Sequence, residues 1–145
     1  TYPASTSMRI VGELYRFYAR GYMVTGWVSE GGRWYYHGVS GAQASGWLSV
    51  GGTWYYLDPD SGAMASGWVN LEGTWYYLDA SGAMRTGWLR DGSVWYYLRA
   101  SGAMATGWVL DGGSWYYMDA SGAMVTGARV IDGVSYVFDP SGRML

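Results

Sequence analysis

The sequence predicts an all-β chain, a solenoid of stacked β-hairpins, and three observations carry the prediction. Gly-Trp pairs recur at Gly26-Trp27, Gly46-Trp47, Gly67-Trp68, Gly87-Trp88 and Gly107-Trp108, spaced 20, 21, 20 and 20 residues apart. Seven residues after each Trp begins a Trp-Tyr-Tyr triplet, at Trp34, Trp54, Trp75, Trp95 and Trp115. Between the two runs lies a glycine-bearing break, Gly31-Gly32 in the first full unit. Short aromatic or β-branched runs about a Gly-Gly pair signal a hairpin with a two-residue turn. A fixed period of such units signals a repeat architecture.

Taken in order, residues 1–8 read as a polar lead or linker remnant and 9–145 as the repeat module. A degenerate unit at 9–25 carries Leu14-Tyr-Arg-Phe17 where later units have Trp-Tyr-Tyr-Leu. Five full units follow over about 26–126, with turns expected at Gly31-Gly32, Gly51-Gly52, Glu72-Gly73, Asp91-Gly92 and Gly112-Gly113. A third element, Ser-Gly-Ala-Met, begins at Ser61, Ser81, Ser101 and Ser121, with Ser40-Gly-Ala-Gln43 as its variant. The longer spacing has a local cause, since Leu57-Asp-Pro-Asp-Ser61 carries one loop residue more than Leu78-Asp-Ala-Ser81. The last unit, 127–145, replaces Gly-Trp by Gly127-Ala128 and Trp-Tyr-Tyr-Leu by Ser135-Tyr-Val-Phe138. Atypical end units are expected of solenoids, whose terminal repeats lack a neighbour on one side.

A turn at Gly31-Gly32 pairs Glu30 with Arg33, Ser29 with Trp34, Val28 with Tyr35 and Trp27 with Tyr36. Side chains alternate along a strand, so Trp27, Trp34 and Tyr36 share one face while Val28, Tyr35 and His37 share the other. Both faces are apolar. An isolated hairpin is at best marginally stable, and stacking hairpin on hairpin is the solution.

Composition narrows the function classes. Glycine is 24 of 145 residues with 3 prolines, and aromatics make up 19%. Glycine in that proportion without a one-in-three period excludes collagen, and so many aromatics argue against disorder. No apolar run approaches the ~18 residues of a membrane span. The absence of cysteine removes disulfides and thiolate metal sites. A net charge of −2, with all nine basic residues arginine, offers no nucleic-acid footprint. The polar opening Thr1–Ser7 has no leader pattern and reads as the start of a mature or excised piece.

Two Trp and a Tyr converging between stacked units form an electron-rich notch without a carboxylate. Quaternary ammonium ions suit such a box, because they carry diffuse positive charge and no hydrogen-bond donors. At ~0.5–2 kcal/mol per ring, three rings give weak, roughly millimolar sites. Several such sites on one module, engaging a polymer that repeats the ligand, gain roughly 10²–10⁴-fold in avidity.

The pattern Thr-Gly-Trp-x6-Trp-Tyr-Tyr-Leu-Asp-x-Ser-Gly-Ala-Met resembles the choline-binding, or cell-wall-binding, repeats of Gram-positive surface proteins, autolysins and phage lysins. It holds at full strength over residues 21–127. The resemblance implies a left-handed hairpin superhelix with choline lodged between consecutive hairpins, in a box of two Trp of one hairpin and a Tyr of the next, often with a Met nearby. Carried onto this sequence, the boxes are Trp27, Trp34 and Tyr56; Trp47, Trp54 and Tyr77; Trp68, Trp75 and Tyr97; and Trp88, Trp95 and Tyr117. Met64, Met84 and Met104 accompany them. The choice of the second Tyr rests on strand alternation, and Tyr55, Tyr76, Tyr96 and Tyr116 stay open. Gln43 is expected to leave the first box without a thioether. Trp108 and Trp115 are expected to face Val137, which makes at most four competent sites.

The implied partner is choline or phosphocholine on wall teichoic acids, outside the cell, with no nucleic acid, no membrane insertion and no cofactor. A homodimer through the terminal repeats is a further expectation. Glucan or another wall glycan is the alternative ligand, argued against by the Gly-Trp tryptophans and by Gln43 and Asn70 being the only side-chain amides. No catalytic or metal-ligating set is expected: His37 is the single histidine and stands in a Leu slot, and the recurring Asp58, Asp79, Asp119 and Asp139 belong to turns. Any catalysis is expected in a domain outside this chain, N-terminal to it.

Overall fold

The computed structural model describes residues 4–10, 13–18 and 23–145. Among them the chain is all-β, with seven two-stranded antiparallel sheets, each one hairpin. In chain order these are β1 (Ala4–Ile10) with β2 (Glu13–Tyr18), β3 (Gly26–Glu30) with β4 (Arg33–His37), and β5 (Gly46–Val50) with β6 (Thr53–Leu57). There follow β7 (Gly67–Leu71) with β8 (Thr74–Leu78), β9 (Gly87–Asp91) with β10 (Val94–Leu98), β11 (Gly107–Asp111) with β12 (Ser114–Met118), and β13 (Gly127–Ile131) with β14 (Val134–Phe138). The expected register holds: Trp27 pairs with Tyr36, Val28 with Tyr35 and Ser29 with Trp34. Residues 4–8, read as a polar lead, lie in β1 and pair with β2. Positions 1–3, 11–12 and 19–22 of the lead and degenerate unit lie outside the described residues.

One turn is shifted from its expected place. Asp91 pairs with Val94, so the fifth hairpin turns at Gly92-Ser93 and not at Asp91-Gly92. The turns demand positive φ, with Gly31 at 60° and Gly32 at 79°. Glu72 holds the same region at φ 53° with a Cβ that crowds it. Glu72→Gly is therefore expected to stabilise the chain by about 0.5 kcal/mol, the relief of strain exceeding the extra unfolded-state entropy. Urea midpoints of the two proteins check this.

The chain divides into two compact units, Thr1–Gly67 with Leu78–Met84, and Trp68–Tyr77 with Arg85–Leu145. Within each, the loop after a hairpin joins it to the one before. In the first unit Met64 N–H donates to the Trp34 carbonyl at 2.8 Å while Ala65 N–H donates to Tyr56 of its own hairpin at 2.8 Å. In the second, the amides of Met104, Met124 and Met144 donate to the carbonyls of Trp75, Trp95 and Trp115, each at 2.8 Å. These bonds cover strand edges that would otherwise template aggregation.

The loop glycine is fixed by packing. A Cβ on Gly122 would lie 2.4 Å from Met104 Sδ, and its φ of 87° already disfavours any side chain. The loop aspartates organise the rest. Asp119 Oδ1 accepts from Ser121 N–H at 2.9 Å, Ser121 Oγ–H at 2.5 Å and Ala123 N–H at 3.1 Å. Partial burial works to raise its pKa, yet those donors hold it below the ordinary carboxylate value. Asp58 is lowered by the Ser61 and Asp60 amides, and Asp139 chiefly by the Ser141 hydroxyl.

The same position of each hairpin supplies the core. Leu57, Leu78, Leu98 and Met118 are wholly buried there, and Phe138 nearly so. In the second unit the packing is back to front: Val109 and Met118 sit under Trp88 and Tyr97 of the preceding hairpin, and Ile131 and Phe138 under Trp108 and Tyr117. There the apolar Val or Ile face of one hairpin meets the Trp/Tyr face of the hairpin before it.

Candidate ligand clefts

Back-to-front stacking decides which rings converge. Trp27 and Trp34 stand on the exposed-side face of β3 and β4, and the next hairpin arrives with its opposite face, which carries Tyr55. Trp27 and Tyr55 meet edge to face at 4.9 Å. The same contact joins Trp68 to Tyr96 at 4.9 Å, Trp88 to Tyr116 at 4.7 Å and Trp108 to Tyr136 at 4.9 Å. Each pair borders an open cleft completed by the second Trp and a Met. Trp27, Trp34, Tyr55 and Met64 line about 400 Å³, and Trp68, Trp75, Tyr96 and Met104 about 230 Å³. Trp88, Trp95, Tyr116 and Met124 line about 320 Å³, as do Trp108, Trp115, Tyr136 and Met144.

The second Trp of each hairpin is 38–46% exposed, from Trp95 at the low end to Trp34 and Trp54 at the high end. Plain core packing would bury these rings. The lining adds only Ala80, Pro140 and the serines Ser81, Ser121 and Ser141, with no carboxylate, amide or cation. Such clefts sit at the small end of ligand pockets, which run from roughly 300 to 1,000 Å³.

The expected closing tyrosines are corrected by this geometry. Tyr56, Tyr77, Tyr97 and Tyr117 pack on the first Trp of their own hairpins, Trp47, Trp68, Trp88 and Trp108, at 4.9–5.1 Å. Alternation places them correctly beside their own tryptophans. It does not say which face the next hairpin presents. Front-to-front contact would require a two-fold between neighbours, whereas a repeat related by a screw presents its back, and with it the first Tyr. For the same reason Val137 does not line the cleft of Trp108 and Trp115; Tyr136 does. Trp47 and Trp54 meet edge to face at 6.4 Å, and Met84 N–H donates to the Trp54 carbonyl.

The methionines are also displaced by one hairpin. Met64 belongs to the cleft of Trp27 and Trp34, which therefore has its thioether. Gln43 N–H instead donates to Leu14, one junction earlier, at 2.8 Å. There Ser7, Leu14 and Arg16 stand in the places of Trp27, Trp34 and Tyr36, so the two ring positions of the later clefts carry no ring. The Arg16 guanidinium lies 4.1 Å over the Tyr35 ring, the position of the closing Tyr. It also binds Glu30 at 3.0 Å, His37 Nε2 at 2.9 Å and Gln43 Oε1. This junction carries its own cation.

His37 is wholly buried here. Arginine only donates, so Nε2 accepts from Arg16 and Nδ1–H donates to the Gly41 carbonyl at 2.7 Å. The ring is a neutral structural group, in keeping with the packing role expected of it. Burial lowers its pKa below 6.5; the Gly41 bond opposes this, the Arg16 charge adds to it and the Glu30 charge opposes it. Between 6.5 and the lowered folded value the unfolded chain binds the proton more tightly, so stability falls as pH drops through that window and is level above it. Urea midpoints at about pH 8 and about pH 5 are expected to show this loss, and His37→Leu to reduce it.

A family model described as a choline-binding repeat matches residues 24–67, 65–106 and 86–126. Among solved structures, CbpJ from Streptococcus pneumoniae TIGR4 is similar with a TM-score of 0.90 and 40% identity, over 97% of this chain and 52% of its own. Choline binding protein F from Streptococcus pneumoniae gives a TM-score of 0.90 and 43% identity, over 98% of this chain and 48% of its own. That protein has also been solved in the presence of a peptidoglycan analogue, a tetrasaccharide-pentapeptide. The modular Cpl-1 endolysin, complexed with a peptidoglycan analogue, gives a TM-score of 0.60 and 35% identity over 86% of this chain and 38% of its own. The chain spans about half the length of the first two structures. No curated protein matches it in sequence.

Proposed function

Because the chain belongs to the choline-binding repeat family, we propose that it is a non-catalytic module anchoring a parent protein to choline- or phosphocholine-bearing teichoic acid of a cell wall. One observation carries the reading: an open cleft of two Trp, a Tyr and a Met recurs with no charged or amide group in its lining. A trimethylammonium head needs π faces and apolar contact and no hydrogen bond, which is what such a cleft supplies. A sugar would leave its hydroxyls short of partners there. Trp27, Trp34, Tyr55 and Met64, and their counterparts around Trp68, Trp88 and Trp108, are the binding groups in this reading. Trp47 and Trp54 repeat the pair. The module works outside the cell on the wall, and any catalytic step belongs to other parts of the parent protein.

Elution from a choline-bearing surface tests the reading. With neutral rings as the binding groups, molar NaCl is expected to leave the protein bound and millimolar choline to release it, while a dextran column retains none. Release by salt and not by choline would mean that surface acids do the binding. Retention on dextran would favour a glycan.

A further inference from the structure

We propose that Asp91 and Asp111 set the affinity order of the clefts by holding and polarising the first tryptophan of the cleft beside each. This rests on the reading of the clefts as cation sites. Trp68 Nε1–H donates to Asp91 Oδ2 at 3.0 Å, and Trp88 Nε1–H donates to Asp111 Oδ2 at 2.9 Å. Each aspartate ends the first strand of the hairpin that follows its tryptophan. In the third, fourth and seventh hairpins the same position holds Val50, Leu71 and Ile131, whose side chains accept no hydrogen bond. Val50 and Ile131 hold that position in the hairpins after Trp27 and Trp108, and Trp108 packs on the cluster that contains Ile131.

The position is a reach-back position wherever it is acidic. In the second hairpin it is Glu30, and that carboxylate holds Arg16 of the preceding hairpin. At Asp91 and Asp111 the group reached is an indole N–H. Neither carboxylate lines a cleft, so the influence passes through the ring. A charged acceptor on Nε1–H pushes electron density toward the indole face and strengthens its attraction for a cation. It also fixes the ring before the ligand arrives, which lowers the ordering cost of binding. The clefts of Trp68 and Trp88 are expected to bind roughly two- to fivefold tighter than those of Trp27 and Trp108.

Choline titration followed by the indole N–H resonances of the intact chain, assigned by single Trp→Phe variants, tests this site by site. The Trp68 and Trp88 signals are expected downfield of the Trp27 and Trp108 signals, with midpoints at two- to fivefold lower choline. Asp91→Val, which copies position 50, should move the Trp68 midpoint up to that of Trp27 and leave Trp108 unchanged. Val50→Asp should shift the Trp27 signal downfield and lower its midpoint. Equal midpoints in the unmutated chain, or a Trp68 midpoint indifferent to Asp91→Val, would overturn the ranking and leave the binding reading standing. If choline moves no indole signal, both fall.

Discussion

Choline at 10 to 100 times its dissociation constant is expected to stabilise the chain by about 1.4–2.7 kcal/mol for each occupied cleft, because ligand binds only the folded form. Trp75→Ala should reduce one such share. Trp75 is 39% exposed and forms one wall of the cleft with Trp68, Tyr96 and Met104. Losing one π face weakens that cleft by about 0.5–2 kcal/mol, or roughly 2- to 30-fold in dissociation constant. The substitution keeps the Trp75 carbonyl, which accepts from Met104 N–H at 2.8 Å, so the backbone tie between hairpins survives. Thermal unfolding of both proteins with and without choline reads the two effects separately. The variant is expected to melt somewhat lower without ligand and to gain less from ligand. A melting temperature of the unmutated chain that ignores saturating choline would show the clefts to be closed core.

What the sequence makes legible follows from the range of each rule. Period and turn residues act within a hairpin, and they place Trp27 opposite Tyr36 and Ser29 opposite Trp34 as found. The shift of one turn to Gly92-Ser93 arises because Asp91-Gly92 and Gly92-Ser93 are both acceptable turn pairs; the Gly-Trp spacing distinguishes them. Relations between hairpins are less legible. Alternation sorts Tyr96 and Tyr97 onto two faces but is silent on which face a neighbour receives, and the wrong Tyr follows from that silence. Counting methionines has the same weakness, since Met64 closes the cleft of Trp27 and Trp34, which belong to an earlier hairpin. The Arg16 cluster is hidden for another reason. Its members, Arg16, Glu30, His37 and Gln43, each look like a lone departure from the repeat. They become one feature only when two hairpins are stacked.

Arg16→Ala is expected to cost the N-terminal junction about 2–3 kcal/mol. Arg16 is 4% exposed, and its removal strips a side-chain donor from His37 Nε2, together with a partner of Gln43 Oε1 and of Glu30. The full penalty of a broken buried ion pair does not apply, because the Glu30 side chain is 48% exposed and regains water. In a chain of repeats stability is a sum of nearest-neighbour terms, so the loss stays local. Amide exchange should therefore accelerate roughly 30- to 150-fold at Val24 and Gln43, whose N–H groups bond to Arg16 and Leu14. Met144, bonded to Trp115, should keep its protection, and choline should bind the Trp88 cleft as before. A converse variant separates the polar cluster from simple loss of packing. Arg16→Tyr, His37→Leu and Gln43→Met together restore the residues that the interior junctions use, and should recover the lost protection without any buried charge. If Arg16→Ala leaves exchange at Gln43 unchanged, the guanidinium is a bystander and other contacts hold the junction.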